Sequence, residues 1–346
     1  MTRILVLPGD GIGPEITAAT IAVLKAATGG SVTFEEMAIG EASLAAAGST
    51  LPDAVLAEIP RADGVILGPV SHYTYPAGQP NPSAALRTRF ALYANIRPCR
   101  SRAGLSILTK PMDLIIVREN TEGFYADRNM FAGPGEFMPD ADSAFAIRKI
   151  TAAASRRVAR AACALAMARS GRLTAVHKAN VLKLTDGLFL REVRAAATEF
   201  SGVTLDEVIV DAAAALLVRD PTRFDVIVTT NMFGDILSDE ASELSGSLGL
   251  GGSINAGDDI CVAQAQHGSA PDIAGLGVAN PTSLILSGAM LLDWIARRRG
   301  DAALGEAASR IERAIDRVLE DPWTRTRDVG GPLGTGAFAA AVIGQL

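Results

Sequence analysis

The sequence alternates short apolar runs with segments of helical periodicity, and this alternation restricts the fold more than any other feature. Several runs are apolar at successive positions, which is typical of strands buried on both faces of a sheet. They lie within residues 3–8, 62–68, 113–117 and 225–229, and further strands are predicted at residues 32–37, 172–178 and 205–210. Helical segments separate most of them, as parallel strands require. The pattern predicts an α/β fold with a parallel sheet and one continuous helix over residues 143–169.

The length and charge of the chain limit the possible functions. A chain of 346 residues is too long for one small core, so we expect two domains. Its 49% apolar and 20% charged residues are typical of a globular protein. The net charge is −6, and the one compact basic run, residues 297–299, closes a predicted helix whose carboxyl end favours cations. We therefore expect no nucleic-acid partner and no membrane partner.

The cysteines favour a reducing compartment. Cys99, Cys163 and Cys261 are odd in number and far apart, which argues against a disulfide framework and against a CxxC metal site. No signal-peptide pattern opens the sequence, and no apolar run reaches about 18 residues. We expect a cytoplasmic protein.

A glycine-rich turn follows the first predicted strand. The turn is Gly-Asp-Gly-Ile-Gly, residues 9–13, and a proline then begins a helix. It lacks the third glycine spacing of the GxGxxG fingerprint, and no acidic residue closes a second strand about 20 residues later. These observations exclude a Rossmann fingerprint. They leave a tight turn whose backbone can approach a ligand closely.

Two aspartates lie one helical turn apart in the stretch TTNMFGDILSDE, residues 229–240. Asp235 and Asp239 share one face of the predicted helix, where like charges repel. A divalent cation would remove the repulsion, and Mg²⁺ and Mn²⁺ prefer oxygen ligands. A solvated acidic helix start explains the pair equally simply. The spacing alone leaves both interpretations open.

Three arginines and a lysine stand near the ends of predicted elements. Arg87 is in a helix that begins near residue 83, Arg97 is in Asn-Ile-Arg-Pro, and Arg118 ends a strand. A guanidinium matches the two oxygens of a carboxylate, although a surface salt bridge would explain any one of these arginines. Lys178 ends a buried strand, where the pKa of a lysine shifts readily, so we consider it a candidate base.

Six motifs together resemble one protein family closely. They are LPGDGIGPE (residues 7–15), YANIRP (93–98), VRENTEGFY (117–125), HKANVLKLTDGLF (177–189), TTNMFGDILSDEAS (229–242) and HGSAPDIAGLGVANPT (267–282). The sequence resembles the isocitrate/isopropylmalate dehydrogenase family of metal-dependent β-decarboxylating dehydrogenases. The resemblance covers essentially the whole chain, and the joint occurrence of the motifs is very specific.

The resemblance implies a two-domain α/β fold that is not a Rossmann fold. A large domain, residues 1–94 plus 244–346, would hold both termini and the cofactor side. A small domain, residues 95–243, would hold the metal and catalytic residues and a dimer arm near residues 125–142. In the family two subunits of a homodimer form each active site.

The resemblance also implies roles for individual residues. Arg87, Arg97 and Arg118 would bind substrate carboxylates. Asp235 and Asp239 would bind Mg²⁺ or Mn²⁺ together with Asp211 of the neighbouring subunit. Lys178, also from the neighbour, would take the hydroxyl proton, and Tyr125 would protonate the enolate carbon.

The cofactor site implied by the resemblance favours NAD. Asp272 stands where NADP enzymes of the family carry a lysine, and a carboxylate accepts hydrogen bonds from a ribose 2′-hydroxyl but repels a 2′-phosphate. The positions implied to bind the cofactor are Ile12, Asn180, His267, Gly268, Ser269, Ala270, Pro271, Asp272, Ile273 and Asn280.

The start of the helix that carries Arg87 bears on the substrate. It offers Asn81, Ser83, Ala84 and Ala85, which are small or polar and suit an isopropyl group poorly. RENTEG, residues 118–123, resembles the NAD-isocitrate, homoisocitrate and tartrate branches. We therefore expect an NAD-dependent oxidative decarboxylase of a 3-substituted malate, of the isocitrate or homoisocitrate type. 3-Isopropylmalate and D-malate or tartrate stay open as alternatives.

Two further features qualify this expectation. Gln264 stands where the family has glutamate in Phe-Glu-Pro, which affects hydrogen bonding under the nicotinamide end. A non-catalytic regulatory subunit of a heteromeric dehydrogenase is an alternative of another class. Such a subunit is expected to lose Tyr125, Lys178 or an aspartate ligand, and this chain retains them all.

Overall fold

A computed structural model of the chain describes residues 1–125 and 130–346. These residues form two compact units, which are described separately. The terminal unit comprises Met1–Phe90, Arg102–Ser106 and Gly246–Leu346, and the central unit comprises Ala91–Ser101 and Ile107–Ser245. The domain boundaries expected from the sequence, residues 1–94 plus 244–346 and residues 95–243, stay a prediction.

The described residues alternate strands and helices, which confirms the predicted α/β class. The strands are β1 Thr2–Leu7, β2 Val32–Glu36, β3 Gly64–Leu67, β4 Ala94–Arg100, β5 Asp113–Glu119, β6 Glu136–Asp140, β7 Ser143–Ala146, β8 Arg172–His177, β9 Thr204–Ile209, β10 Val226–Thr229, β11 Ile254–Ala256 and β12 Cys261–Gln264. The helices are α1 Gly13–Thr28, α2 Gly40–Ala47, α3 Asp53–Glu58, α4 Pro82–Arg89, α5 Ala152–Met167, α6 Thr185–Thr198, α7 Val210–Arg219, α8 Asn231–Ser245, α9 Thr282–Arg299, α10 Ala302–Glu320 and α11 Thr335–Ile343. No helix in these described ranges combines the length and apolarity needed to cross a membrane.

In the terminal unit the strands follow the order β2-β1-β3-β12-β11. β1 pairs in parallel with β2 and β3, β3 pairs in parallel with β12, and β11 is antiparallel to β12. Helix α9 is the central helix of this unit because residues all around its surface, including Leu284, Leu286 and Leu291, are buried. α10 is amphipathic and buries one face, which includes Ile311 and Ile315.

In the central unit the strands follow the order β4-β5-β10-β8-β9. β4 is antiparallel to β5, and the remaining pairs are parallel. Successive side chains point to opposite faces. Ile115 and Val117 therefore pack with α5 and α6, while Ile116 packs with α7 and α8. Helices on both faces explain why β5 and β10 are apolar and buried at successive positions.

A hairpin corrects one prediction. The continuous helix expected over residues 143–169 is wrong, because β7 pairs with β6 and α5 begins only at Ala152. Thr151 has extended dihedral angles and its side chain accepts a hydrogen bond from the Ala154 amide, so it caps the helix. The Ala-rich spacing continues across this cap and hides it. Strand β6 of the hairpin lies within the predicted dimer arm, residues 125–142, of which residues 126–129 lie outside the described residues.

The glycine-rich turn between β1 and α1 packs tightly against two other loops of the terminal unit. The Asp10 amide donates to the Pro69 carbonyl at 2.8 Å, and the Ile12 amide donates to the Ser269 carbonyl at 2.9 Å. Gly11 has φ +57°, and a Cβ there would lie 2.0 Å from the Ser269 carbonyl oxygen. Gly11 is therefore required both by its left-handed conformation and by this close approach.

Replacing Gly11 by alanine tests this contact, and Gly29 is a matched control. Gly29 has φ +55°, but a Cβ there would have no neighbour within 4 Å. We expect Gly29→Ala to lower the free energy of unfolding by about 1 kcal/mol, the cost of the left-handed conformation. Gly11→Ala should lower it by about 3 kcal/mol or more, because the clash adds to that cost. Chemical denaturation measures both, and equal losses would contradict the contact.

Candidate active site

The two aspartates predicted as metal ligands lie on α8 in the central unit. Asp235 and Asp239 are one helical turn apart, and their side chains are 36% and 49% exposed. The opposite face of α8 is apolar, because Leu237 and Ala241 are fully buried against the sheet. The amphipathic pattern of α8 therefore presents both carboxylates on its accessible side.

Two buried arginines from neighbouring strands contact these carboxylates. Arg97 of β4 donates to Asp239 at 2.7 Å and lies 3.4 Å from Asp235. Arg118 of β5 donates to Asp235. The arginine side chains are only 7% and 2% exposed. Buried guanidinium groups need charged or polar partners, and the two carboxylates supply them.

Tyr125 joins the same cluster. Its hydroxyl accepts a hydrogen bond from Arg118 and donates one to Asp235, both at 2.8 Å. Asn231, at the start of α8, accepts from the Arg118 Nε at 2.8 Å and donates to the Glu122 carbonyl at 2.7 Å. These bonds fix the orientation of the phenol and of the guanidinium. Arg97, Arg118, Tyr125, Asp235 and Asp239 thus form one cluster, which we call the α8 cluster.

The two carboxylates of the α8 cluster are candidate oxygen ligands for a divalent cation. Burial raises the pKa of Asp239, and the positive charge of Arg97 opposes that rise. Two carboxylates one turn apart form the hard oxygen donor set that Mg²⁺ and Mn²⁺ prefer. Among residues 1–125 and 130–346 no group of three or more His, Cys, Asp or Glu side chains could hold a metal ion.

Lys178 and Asp211 form a second pair in the central unit. Lys178 follows β8, Asp211 is in the first turn of α7, and the Lys178 ammonium donates to the Asp211 carboxylate. This hydrogen bond lowers the pKa of Asp211. Asn180 is exposed in the turn that follows Lys178. The structure brings together the two residues that the sequence resemblance assigned to a neighbouring subunit.

The beginning of α4 in the terminal unit is held by Gln264. Asn81 caps α4 by accepting from the Ser83 amide at 3.1 Å. The Gln264 side-chain carbonyl accepts from the Ser83 hydroxyl at 3.1 Å, from Arg87 at 3.4 Å and from Asn255 at 3.3 Å. One uncharged acceptor therefore positions the predicted substrate-binding residues Ser83 and Arg87.

The predicted cofactor loop is attached to the glycine-rich turn. Ser269 is buried, and its hydroxyl accepts from Ser71 at 2.8 Å while its carbonyl accepts from the Ile12 amide. Ala270 has φ +37°, an unusual conformation for a residue with a side chain. Gly268, Pro271 and Asp272 are exposed, and a short 3₁₀ turn spans Pro271–Ile273. Hydrogen bonds of Ser269 thus hold the backbone of the loop, while its neighbouring residues are exposed.

Two further predicted cofactor residues are partly or fully buried. Burial lowers the pKa of His267, so its imidazole is neutral near pH 7. Asn280 donates to Asp328 at 2.9 Å and accepts from the Thr282 amide at 3.0 Å. Glu15 accepts from the Gly277 and Ala279 amides, each at 3.1 Å, and so supports the segment before Asn280.

The sequence did not indicate the contacts by which several residues support these clusters. Asn231 positions Arg118, Gln264 positions Ser83 and Arg87, and Asp328 contacts Asn280. Each acts on a residue distant in the sequence, so no local spacing could have identified it. For Gln264 a signal was available, because glutamine replaces the glutamate expected at that position.

Comparisons with known proteins match one family over nearly the whole chain. A family model described as isocitrate/isopropylmalate dehydrogenase matches residues 3–342. An isocitrate/homoisocitrate dehydrogenase of Thermus thermophilus is 43% identical, covering 99% of this chain and 98% of that protein. A 3-isopropylmalate dehydrogenase of Saccharolobus solfataricus is 40% identical, covering 95% of each chain.

A solved structure agrees with these relatives. The crystal structure of an isocitrate dehydrogenase from Methylococcus capsulatus is 41% identical in sequence and superposes with a TM-score of 0.89. The match covers 100% of this chain and 99% of that one. The family resemblance and the fold class predicted from the sequence are both confirmed. The chain belongs to the isocitrate/isopropylmalate dehydrogenase family, whose members are decarboxylating dehydrogenases of 3-carboxy-2-hydroxy acids.

Proposed function

We propose that the chain catalyses the NAD-dependent oxidative decarboxylation of a 3-substituted malate of the isocitrate or homoisocitrate type, with Mg²⁺ or Mn²⁺. The products are a 2-oxo acid, CO₂ and NADH. The observation that carries the proposal is the α8 cluster, in which two carboxylates, two arginines and a tyrosine contact one another. This chemistry needs a cation site, an anion site and a proton donor close together.

The residues of the α8 cluster have separable roles in this proposal. Asp235 and Asp239 hold the divalent cation. When bound, that cation supplies positive charge that lowers the pKa of the substrate hydroxyl and stabilises the negative charge of the enolate. Arg97 and Arg118 bind the substrate carboxylates and restrict their motion. Tyr125 donates a proton to C3 after CO₂ leaves, and its contact with Arg118 keeps the hydroxyl oriented.

Lys178 accepts the proton in the first proton transfer of the proposed reaction. The C2 hydrogen would leave as a hydride to NAD⁺ while the hydroxyl proton passes to the lysine nitrogen, which can accept it only as the free amine and not as the ammonium that donates to Asp211. The C3–carboxylate bond then breaks, and its electron pair forms the enolate that Tyr125 protonates. Lys178 and Asp211 pair with each other on elements other than α8. We propose that in a homodimer the partner subunit's Lys178 and the partner subunit's Asp211 complete the α8 cluster.

An exposed apolar hairpin supports the homodimer. Phe137 of β6 and Phe145 of β7 stack at 5.5 Å between ring centroids, yet they are 48% and 53% exposed. Met138 beside them is 62% exposed. Apolar surface of this kind marks an interaction site, and a second copy of the chain would cover it.

The beginning of α4 favours a polar substituent on C3. Ser83, Arg87 and Gln264 form a hydrogen-bonded group there, and Asn81 caps the helix beside them. Burying an isopropyl group against these polar atoms would desolvate them without compensation. A carboxylate-bearing substituent would instead find donors. The name of one relative, isocitrate/homoisocitrate dehydrogenase, agrees with a polar substituent on C3. Other relatives are named 3-isopropylmalate dehydrogenase.

The cofactor loop favours NAD over NADP. Asp272 is exposed on the Pro271–Ile273 turn, where a carboxylate can accept from a ribose 2′-hydroxyl and would repel a 2′-phosphate. The neighbouring Ser269 and Ile12 fix the loop on which Asp272 stands. These contacts would hold the cofactor loop in place before NAD binds.

A panel of initial rates tests the proposed substrate. Isocitrate, homoisocitrate, 3-isopropylmalate, D-malate and tartrate are each assayed with Mn²⁺, with NAD⁺ and NADP⁺ in parallel. We expect kcat/KM to be highest for isocitrate or homoisocitrate with NAD⁺, and at least about 10-fold lower for 3-isopropylmalate because its substituent leaves polar groups unpaired. A preference for 3-isopropylmalate or for NADP⁺ would contradict the proposal.

Removing the candidate base tests the proposed chemistry. Lys178→Ala should lower kcat by about 10²–10⁴-fold, the usual contribution of a general base, and leave NAD⁺ affinity unchanged. Lys183→Ala is a matched control because Lys183 is an exposed lysine in the same turn region. Fluorescence titration with NADH measures cofactor binding separately from turnover. Near-normal turnover of the Lys178 variant would refute the assignment.

A further inference from the structure

Arg148 is a buried arginine that the proposed chemistry does not use. It lies three residues before the α5 cap Thr151, and its side chain is only 7% exposed. Its guanidinium donates to the Asp186 carboxylate, to the Thr185 hydroxyl at 2.9 Å and to the Thr230 hydroxyl at 3.0 Å. Burying a guanidinium group is costly unless it is paired, and these three hydrogen bonds pair the guanidinium of Arg148.

Asp186 connects Arg148 to the main chain of Lys178. Asp186 is fully buried, and one of its carboxylate oxygens pairs with Arg148. The other oxygen accepts a hydrogen bond from the Lys178 backbone amide at 2.5 Å. The two oxygens of one buried carboxylate therefore link the Arg148 guanidinium to the Lys178 amide, and Arg148 fixes the orientation in which Asp186 holds that amide.

The other side of Arg148 contacts the start of α8. Thr230, which accepts from Arg148, directly precedes α8 and is 2% exposed. The guanidinium carbon lies 5.3 Å from the ring centroid of Phe233 on α8 and 5.6 Å from that of Phe124, the neighbour of Tyr125. Arg148 thus contacts the segments that carry the base, the aspartate pair and the proton donor.

We propose that Arg148, through Asp186, is a positioning residue that fixes the backbone of Lys178, the residue that each subunit would contribute to the α8 cluster of its partner. The inference rests on the proposed function in assigning Lys178 as the base. A guanidinium has donors on separate nitrogens in a rigid plane, so it can bind Asp186 and Thr230 at the same time. The ammonium of a lysine would lack that fixed geometry. Arg148 touches no reacting atom, and its effect on turnover is indirect.

The central unit contains a matched control for Arg148. Arg169 donates to the buried Asp225 at 2.5 Å, and Asp225 accepts from the Ser170 backbone amide at 3.0 Å. The chemical pattern of guanidinium, buried carboxylate and main-chain amide is the same. Ser170 and Asp225 precede the parallel strands β8 and β10, whereas Lys178 and Thr230 follow them. A substitution of Arg169 therefore shows what the loss of such an ion pair does when the pair lies at the opposite end of the same strands, away from Lys178.

The experiment compares Arg148→Met, Arg148→Lys and Arg169→Met in the full-length protein. Hydrogen exchange reports the protection of the Lys178 amide and needs no substrate. We expect this amide to exchange at least about 10-fold faster in Arg148→Met and at the wild-type rate in Arg169→Met. In steady-state assays Arg148→Met should lower kcat about 100-fold with both KM values within about twofold, as expected for a displaced base. Arg148→Lys should lie between wild type and Arg148→Met in both measurements.

The outcomes separate the two proposals. Wild-type exchange at Lys178 in Arg148→Met, or equal effects of Arg148→Met and Arg169→Met, would overturn the role of Arg148. A rise in KM with unchanged kcat would overturn it as well. If Arg148→Met does not fold, Arg148→Lys decides, and wild-type behaviour in that variant would contradict the need for a planar donor. If wild-type protein turns over none of the tested acids, the proposed function fails, while hydrogen exchange still decides whether Arg148 positions Lys178.

Discussion

The central unit depends on the contact between two buried guanidinium groups and two carboxylates. Arg97 and Arg118 come from the adjacent antiparallel strands β4 and β5, and Asn95, which faces Arg118 across that pair, accepts from the Arg97 Nε at 2.7 Å. Each arginine would be costly to bury without a charged partner. Asp235 and Asp239 supply that charge from α8. The acidic pair is therefore needed for the structure of the unit as well as for the chemistry we propose.

The structural and chemical roles of Asp235 and Asp239 both require α8 to be held in one orientation. Its buried face packs on the sheet through Leu237 and Ala241, so the helix cannot rotate without exposing apolar area. Asn231 at its start is tied to Arg118, and Thr230 just before it is tied to Arg148. The carboxylates are thereby held at fixed positions before any ligand arrives. Such preorganisation is what allows electrostatic groups to stabilise a transition state without rearranging.

Much of the secondary structure could be predicted from periodicity alone. Strands buried on both faces produce apolar runs that are easily recognised, and the spacing of Asp235 and Asp239 already placed them on one helix face. The hairpin β6–β7 was missed because the Ala-rich pattern of α5 extends past its cap at Thr151. A cap depends on the backbone conformation of one residue, which composition does not reveal.

Contacts between distant residues account for most of what the sequence could not indicate. Gln264 forms hydrogen bonds with Ser83 and Arg87, which are more than 170 residues away in the sequence. Arg148 forms a hydrogen bond with Asp186, which is 38 residues away. The resemblance to the family supplied candidate roles for the arginines and aspartates and singled out Gln264, but it did not indicate that Gln264 contacts Arg87 or that Asn231 contacts Arg118. Those contacts became visible only in the structure.

A Mn²⁺ titration of Asp235→Asn in the presence of a substrate acid tests whether the α8 cluster is the metal site. Asparagine keeps an acceptor for Arg118 and Tyr125 but removes the charge, so loss of metal affinity can be separated from loss of structure. Asp293→Asn, at a surface salt bridge with Arg297, is the control. We expect Asp235→Asn to bind Mn²⁺ at least roughly 100-fold more weakly than wild type, and the control to bind like wild type. Equal Mn²⁺ affinity in wild type and Asp235→Asn would contradict the α8 cluster as the metal site.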